Sequence, residues 1–315
     1  MLAQSLRIVF MGTPDFAVAS LDALIKEGLQ VVAAITAPDK PAGRGLQPMQ
    51  SAVKKFAMAH QIPVLQPEKL KDPVFLQQLA SLKADIQVVV AFRMLPEVVW
   101  NMPPLGTINV HASLLPQYRG AAPIHRAIMN GEKTTGVTIF RLQHAIDTGG
   151  ILIQESVPIG EKQTVGELYE VLSRSGAELL VKTIHLLAAG EVQELPQDTF
   201  IAGNLHTAPK IVSEDCHINW NKSAQEIYNQ IRGLSPYPGA MTSLEGKTLK
   251  IFSGTIKNIP PSVDPGTIIT DGKSSIDFAC KDGWIEVESL QLEGKKRMLT
   301  AEFLRGYRLP KAPSL

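Results

Sequence analysis

Short apolar runs alternate with helix-like segments through the first half of the chain, and this alternation limits the possible folds more than any other feature. LRIVFMG at 6–12 is an apolar run of the kind found in buried strands. The segment at 14–28 has Pro14 near its start, apolar residues at helical spacing and Gly28 at its end, which predicts a helix. Repeated units of this kind form a largely parallel sheet with helices on both faces. Further strands are predicted at 31–36, 62–65, 85–92, 107–112, 136–142 and 151–159, and further helices at 121–131 and 164–190.

The pattern changes after about residue 200. HTAPKI at 206–211 has no period, and residues 219–233 have the spacing of a single helix. Short β-rich pieces follow, separated by Glu-Gly and Asp-Gly turn signals, as is typical of a small barrel or sandwich. A length of 315 residues also suggests two domains, at roughly 150 residues for each. We therefore predict a first domain over 1–200, a linker at 201–210 and a second domain over 211–315.

Composition excludes several classes of protein. With 44% hydrophobic and 19% charged residues, both domains can bury apolar cores, so the chain is not mainly disordered. No apolar run reaches the roughly 18 residues of a membrane-spanning helix. The start of the chain lacks the apolar stretch of a signal peptide. The only two cysteines, Cys216 and Cys280, are far apart in sequence, which fits a reducing cytoplasm and excludes a disulfide scaffold or zinc module.

The net charge of +1 indicates no partner, but the basic residues are unevenly distributed. The last 21 residues hold six basic side chains against one acidic side chain, Glu302. Such an excess is consistent with binding to a polyanion and equally with an ordinary solvated surface. The six basic residues are Lys295, Lys296, Arg297, Arg305, Arg308 and Lys311.

Several common nucleotide and hydrolase motifs are absent from the sequence. The turn after the first strand, Gly12 to Asp15, has one glycine rather than G-x-G-x-x-G, which argues against a dinucleotide site. The chain also has no P-loop, no H-E-x-x-H and no G-x-S-x-G motif. The sequence therefore predicts a doubly wound sheet whose chemistry is not that of an NTPase, a zinc protease or an α/β-hydrolase.

Residues 107–150 contain the main candidates for catalysis. Asn109 and His111 are two positions apart on a predicted strand, so their side chains point to the same face. Asp147 precedes a Gly pair in a turn after a later strand. An amide donor, an imidazole and a carboxylate suit transfer at a carbonyl group, where charge develops on oxygen and an amine loses a proton. Taken alone, the pattern also fits a structural Asn-x-His pair.

The run NVHASLLPQYRGAAPIHRAI, followed by TGVTIF and DTGGIL, resembles the signature of the formyltetrahydrofolate-dependent formyltransferases. Five other blocks support the resemblance in family order: RIVFMGTPDFAV at the start, PDKPAGRG at 38–45, APKI at 208–211, SPYPGA at 235–240 and LQLEGKK at 290–296. The resemblance implies a Rossmann-like catalytic domain followed by an OB-like β-barrel that binds tRNA. It also implies transfer of the formyl group of 10-formyltetrahydrofolate to the α-amino group of methionine on initiator methionyl-tRNA, for translation initiation.

The resemblance also implies which residues act. The family's catalytic residues correspond to Asn109, His111 and Asp147. The SLLP block lines the folate site in the family, and the segment after the fourth strand contacts the pteridine ring. Where many relatives have a longer segment, this chain has AFRMLP at 91–96, so the ring contacts are less well defined. The implied folate-binding residues are Ser113, Leu114, Leu115, Pro116, Arg93, Met94 and Leu95.

The predicted loop at 36–54 is a candidate for tRNA binding. It has four Pro or Gly residues within 41–48, and loops of that length are usually functional or disordered. The resemblance matches Arg44 to an arginine that enters the acceptor arm, although Leu46-Gln47 stands where relatives often have two lysines. A solvated surface arginine is the alternative. Lys295 and Lys296 are interpreted as phosphate contacts from the second domain.

The resulting prediction is a monomeric cytoplasmic enzyme without a metal, a membrane anchor or a stable protein partner. Its co-substrate is 10-formyltetrahydrofolate and its acceptor is initiator methionyl-tRNA. Three alternatives remain: a formyltransferase for amino-sugar nucleotides, a formyltetrahydrofolate hydrolase, and a non-catalytic tRNA-binding protein. The first two do not account for PAGRG, the C-terminal blocks and the basic end together, and the third does not account for Asn109, His111 and Asp147.

Overall fold

A computed structural model of the chain describes residues 2–42, 47–201 and 203–309. The chain divides into two compact units, each built from three stretches of sequence. The first unit consists of Met1–Ala121, Thr134–Pro158 and Tyr169–Ala208, and the second of Ala122–Lys133, Ile159–Leu168 and Pro209–Leu315. Two short segments that lie before residue 169 thus cluster with the C-terminal part of the chain, a grouping that local sequence patterns do not indicate.

The first unit is built on a seven-stranded sheet in the order β5-β2-β1-β6-β7-β8-β9. Its first five strands are parallel, β8 pairs antiparallel with β7, and β9 pairs antiparallel with β8. The short strands β3 and β4 pair only with each other. The strands are β1 (Arg7–Gly12), β2 (Gln30–Ile35), β3 (Lys40–Ala42), β4 (Gln47–Met49), β5 (Val64–Leu65), β6 (Ile86–Val90), β7 (Thr107–His111), β8 (Thr134–Arg141) and β9 (Ile151–Pro158).

Burial on both faces explains why the central strands have continuous apolar runs. All five residues of β6 are buried, as are five of the six in β1. Parallel strands covered by helices on both faces have this composition because neither face meets water. The predicted doubly wound, mostly parallel α/β sheet is confirmed.

Two of the helices between the strands, Ala52–Ala59 and Pro73–Ser81, begin at recognisable capping residues. Ser51 accepts a hydrogen bond from Lys54 N, and Asp72, followed by Pro73, accepts from Val74 N and Phe75 N. Both are preferred N-cap residues because they satisfy free backbone donors. The helices are α1 (Asp15–Lys26), α2 (Ala52–Ala59), α3 (Pro73–Ser81), α4 (Glu97–Trp100), α5 (Pro123–Met129), α6 (Val165–Ala189), α7 (Ser213–Cys216), α8 (Ala224–Gly233) and α9 (Thr300–Gly306).

The second unit contains a curled antiparallel sheet, in the order β10-β11-β14-β13-β12 with β15 beside β14. The pairing of β11 with β14 shifts register near Ser253, and such bulges bend a sheet. Helix α8 buries Ile227 and Ile231 in the same core as Phe278. The OB-like architecture is confirmed. The strands are β10 (Ala240–Leu244), β11 (Lys247–Lys257), β12 (Ile268–Thr270), β13 (Ile276–Ala279), β14 (Trp284–Leu292) and β15 (Met298–Leu299).

The segment predicted as a loop at 36–54 is more structured than its composition indicates. Strands β3 and β4 form an antiparallel ladder in which Lys40 pairs with Met49, and α2 begins at Ala52. The ladder was not predicted because its paired positions 41 and 48 are prolines, and proline is rare within strands. In the described part of the chain, no helix combines the length and the apolar character needed to cross a membrane.

Candidate active site

Strand β7 places Asn109 and His111 at its carboxyl end. His111 is the last residue of the strand, is only 6% exposed and pairs with Thr138 of β8. Its Nε2 lies 3.0 Å from Tyr118 O, and since a carbonyl only accepts, Nε2 carries the proton of that hydrogen bond. Asn109 is partly exposed, and across the described ranges its side-chain amide has no hydrogen-bond partner. The Asn109 amide is therefore available to a ligand.

Asp147 lies in the turn between β8 and β9 and approaches His111 from that side. Its Oδ2 accepts a hydrogen bond of 2.9 Å from Gly120 N and lies 3.8 Å from His111 Nδ1. Because Nε2 donates to Tyr118 O, only the doubly protonated imidazolium would also present an N–H from Nδ1 to the carboxylate. The structure thus brings the three predicted catalytic residues to one edge of the sheet, two of them in direct proximity.

The turn that contains Asp147 has an unusual backbone held by buried hydrogen bonds. Asp147 has φ 52°, in the left-handed region that non-glycine residues seldom adopt. Gln197 Nε2 donates to both Asp147 O and Gly149 O, each at 2.8 Å, and Gln197 is only 4% exposed. A side chain at Gly149 would collide with Arg141 O, so the second half of the turn requires glycine.

The predicted folate-binding segment at 113–116 is anchored to strands β8 and β9. The buried Thr138 hydroxyl donates to Ser113 O and accepts from Leu115 N, and Gln154 Nε2 donates to Leu115 O. Leu115 packs with Phe140 and Ile151 in the core, and Leu114 is only partly buried. Pro116, like Ser113, is buried. The segment is thus rigidly held directly after His111.

The other predicted folate residues, at 93–95, follow strand β6. Because β6 and β7 are parallel neighbours, these residues leave the sheet at the same edge as His111. The Arg93 guanidinium donates to Glu68 O at 2.8 Å and to Pro67 O, and burial lowers its pKa. Leu95 belongs to the core, whereas Met94 is 72% exposed. Of the three side chains, only Met94 is largely free to meet a ligand.

The predicted tRNA-binding residues are less completely described. Arg44 lies outside the described residues. Lys295 and Lys296 are exposed in the turn between β14 and β15. Arg297 beside them lies over the Phe252 ring at 4.5 Å and donates to Ser289 Oγ, so its guanidinium is used in packing within the second unit. A search of the described residues finds no His, Cys, Asp and Glu group able to hold a metal ion.

Comparison with known families accounts for both units. A family model described as "Formyl transferase" matches residues 6–184, and one described as "Formyl transferase, C-terminal domain" matches residues 210–308. The chain belongs to the formyl transferase family. The first match includes Asn109, His111 and Asp147, and the second includes Lys295 and Lys296.

Curated relatives and solved structures agree with this family. The chain is 51% identical to a protein named methionyl-tRNA formyltransferase from Bacteroides fragilis, over 99% of this chain and 98% of the relative. It is 53% identical to one from Parabacteroides distasonis, over 98% of each chain. Among solved structures, a Helicobacter canadensis N-formyltransferase in complex with folinic acid and dTDP-3-aminofucose aligns with a TM-score of 0.67 and 21% identity, over 95% of this chain and 100% of that one. The sugar 3N-formyl transferase WlaRD, in the presence of dTDP and 5-N-formyl-THF, aligns with a TM-score of 0.66 and 22% identity, over 92% and 99%.

Some contacts in this candidate site have no signal in the sequence. The Tyr118 carbonyl and the Gly120 amide hold His111 and Asp147, yet nearly every residue type supplies the same backbone groups. Gln197 lies 50 positions from Asp147, in a 3-10 helix next to the predicted linker. Thr138 has a detectable signal, because it is a polar residue between the apolar Val137 and Ile139 of β8.

Proposed function

We propose that this chain is a methionyl-tRNA formyltransferase, which moves the formyl group of 10-formyltetrahydrofolate to the α-amino group of methionine on initiator methionyl-tRNA. The observation that carries the chemistry is the approach of Asp147 Oδ2 to within 3.8 Å of His111 Nδ1, beside the unpaired Asn109 amide. Identity of 51% over 99% of the chain to a protein of that name supports the choice of acceptor.

Each catalytic residue has a defined role in this proposal. The amine nitrogen forms a bond to the formyl carbon, and Asn109 and protonated His111 stabilise the negative charge that develops on the formyl oxygen. The bond between that carbon and N10 of the folate then breaks. Asp147 orients His111 and takes up the amine proton through water, and this proton is then passed through water to the departing N10. The free Asn109 amide fits this role, because a donor without a protein partner can bind an oxyanion without breaking a hydrogen bond within the protein.

The folate and tRNA sites are part of the same proposal. Residues 113–116 and 93–95 line the folate site, which is supported by their departure from the same edge of the sheet as His111. Arg44 contacts the acceptor arm, and Lys295 and Lys296 contact phosphates, consistent with the exposure of the two lysines. We further propose a cytoplasmic monomer in which the domains divide at 201–210.

A transfer assay with several acceptors tests the proposal. The purified chain is mixed with 10-formyltetrahydrofolate and either charged initiator tRNA, charged elongator tRNA, a UDP-amino sugar or buffer alone. We expect formylmethionyl-tRNA from the initiator tRNA and little product in the other reactions. Faster formylation of the amino sugar would identify a sugar formyltransferase, and release of formate in buffer would identify a hydrolase. Binding of tRNA without any formyl transfer would identify a non-catalytic binding protein.

A further inference from the structure

Residues 197–201 and 203–208, which we call the strap, run alongside the loop that follows the proposed folate-binding segment. Tyr118 N donates to His206 O at 2.7 Å, and Ala208 N donates to Arg119 O at 2.8 Å. These bonds form a parallel bridge between Arg119 and Thr207. An isolated backbone bridge therefore joins the strap to loop 117–120.

The Gln117 side chain strengthens the pairing on one side of this bridge, and a close backbone approach lies on the other. Gln117 Nε2 donates to Asn204 O, and Gln117 Oε1 accepts from His206 N, each at 2.9 Å. A side chain at Gly120 would overlap Ala208 O, and Gly120 has φ 128°, so the close approach requires glycine. Hydrogen bonds thus connect the strap and loop 117–120 along their length.

Loop 117–120 in turn holds two of the proposed catalytic groups. Tyr118 O accepts the hydrogen bond from His111 Nε2, while Gly120 N donates to Asp147 Oδ2. Movement of the loop would change the ring orientation of His111 and the direction of the Asp147 carboxylate together. Misplacement of reacting groups by about 1 Å costs roughly 100-fold in rate.

Gln197 connects the strap directly to the Asp147 turn. Its Nε2 donates to Asp147 O and Gly149 O, and its Oε1 accepts two hydrogen bonds from the Arg119 guanidinium, at 2.9 and 2.6 Å. One buried amide therefore joins the turn that carries Asp147 to the loop that contacts its carboxylate. The left-handed backbone of Asp147 is unfavourable by itself, and such conformations persist only where surrounding contacts fix them.

We propose that the strap, which overlaps the predicted linker at 201–210, positions His111 and Asp147 for catalysis, with Gln197 as its central positioning residue. This inference rests on the proposed function of the same site. Gln197 acts through the backbone of Asp147 and through loop 117–120, and it does not touch the reacting atoms. Its replacement should lower kcat and leave KM for the substrates unchanged, because its four side-chain hydrogen bonds all go to protein groups.

Gln197→Met tests the proposal, because methionine keeps the side-chain volume and removes all four hydrogen bonds. Gln230→Met is the matched control: Gln230 Nε2 likewise donates to two carbonyls, Asp215 O and His217 O, but in the second unit. We expect Gln197→Met to lower kcat by about 10- to 100-fold and to shift the pH dependence of kcat. Gln230→Met should change only the melting temperature. Wild-type kcat and pH profile in folded Gln197→Met, or equal losses in both variants, would overturn the proposal.

A second variant covers the case in which Gln197→Met does not fold. Gln117→Met removes the two side-chain bonds at the exposed end of the strap and leaves the buried contacts of Gln197 intact. We expect a smaller decrease in kcat, again without a change in KM; an unaltered kcat would contradict a positioning role for the strap. Absence of formyl transfer by the wild-type chain would instead refute the proposed function, so the two failures are distinguishable.

Discussion

Asp147 combines a backbone role with a chemical role in one residue. Its carboxylate accepts from Gly120 N and faces His111 Nδ1, while its own carbonyl accepts from Gln197. The proposed proton uptake depends only on the charge of the carboxylate. A substitution that keeps the shape of the side chain therefore separates the two roles.

Asp147→Asn should retain the fold and lose most of the activity. The amide oxygen can still accept from Gly120 N, but it can neither take up a proton nor offer a negative charge to His111. We expect kcat to decrease on the order of 100-fold, with folate affinity retained, in steady-state assays and folate titrations. Glu178→Gln, at an exposed carboxylate of the same unit, should behave as the wild type. Near wild-type turnover in Asp147→Asn would exclude Asp147 from proton transfer.

Arg44 is the residue whose replacement should separate tRNA recognition from catalysis. Arg44→Leu removes a guanidinium that can pair with phosphate and stack on bases, so tRNA recognition should weaken by roughly 1–3 kcal/mol. The measurement is kcat/KM for charged initiator tRNA below saturation, beside folate affinity, which should not change. Arg174→Leu, at an exposed position on α6, is the matched control. Normal kcat/KM in Arg44→Leu would assign Arg44 to the solvated surface.

At the level of secondary-structure elements, the turn between β14 and β15 presents Lys295 and Lys296 on a well-ordered frame. Gln291 Nε2 donates to Lys295 O, and Lys295 N donates to Leu292 O, both at 2.9 Å. Gly294 has φ 75°, which the turn requires. Both ammonium groups therefore extend into solvent from a fixed backbone.

Charge reversal of both lysines should weaken tRNA binding and flatten its dependence on salt. Each phosphate contact releases counterions on binding. Loss of two contacts should therefore make the slope of log K against log salt less negative by about two. Binding isotherms at several salt concentrations measure this slope. Charge reversal of Lys71 and Lys182, both exposed, is the control, because it gives the same net charge as the Lys295/Lys296 variant. The slope of the control should stay closer to that of the wild type. An equal slope in wild type and the Lys295/Lys296 variant would place the phosphate contacts elsewhere.

Helix α8 begins with a capping box whose contribution to stability depends on pH. Ser223 Oγ accepts from Glu226 N, and Glu226 Oε2 accepts from Ser223 N. Hydrogen bonds from the Ser223 side chain and then its backbone lower the pKa of Glu226 below 4.5 in the folded state. The stabilisation is therefore complete above the pKa of unfolded Glu226 and is lost as the pH falls through the folded pKa.

Ser223→Ala should lower the free energy of unfolding by about 1 kcal/mol at neutral pH, the usual effect of losing an N-cap. The difference from the wild type should shrink in acid, because protonation of Glu226 already weakens the capping box. Urea unfolding across this pH range provides the measurement. Ser243→Ala, at an exposed position in β10, should have little effect at any pH. A difference that does not depend on pH would exclude Glu226 from the cap.

On the scale of the whole molecule, both cysteines report on the integrity of the second unit. Cys216 and Cys280 are buried in the core that also contains Phe278. Burial raises the pKa of the Cys280 thiol to about 12, and it raises that of Cys216 as well. Both thiols are therefore protonated and shielded from reagents at neutral pH.

Thiol labelling should consequently be slow in the native protein and should follow unfolding of the second unit in urea. Labelling by an alkylating reagent, compared with far-UV circular dichroism at each urea concentration, measures this relation. A circular dichroism change that precedes labelling would show that the two units unfold separately, since neither cysteine lies in the first unit. Rapid labelling of both thiols without urea would contradict the burial of the cysteines.

Local pattern predicts most of the elements of this fold. The strand predicted at 107–112 is Thr107–His111, and the helix predicted at 164–190 is Val165–Ala189. Periodicity identifies such elements because burial of one face selects apolar residues at fixed spacing. Helices α2 and α3 were not predicted, although Ser51 and Asp72 are residue types that favour helix N-caps. The ladder of β3 and β4 was missed because its paired prolines indicate a loop.

Like the fold, the candidate site could be predicted from the sequence only in part. Asn109, His111 and Asp147 are identifiable from residue type, strand spacing and resemblance. The sequence by itself thus determined the two-part architecture and the chemical groups of the site. Only the tertiary structure decided how those groups are held, through Tyr118 O, Gly120 N and Gln197. These hydrogen bonds join residues up to 50 positions apart, often through backbone atoms. Sequence periodicity records which side chains are buried, but it does not record which distant partners meet once the chain has folded.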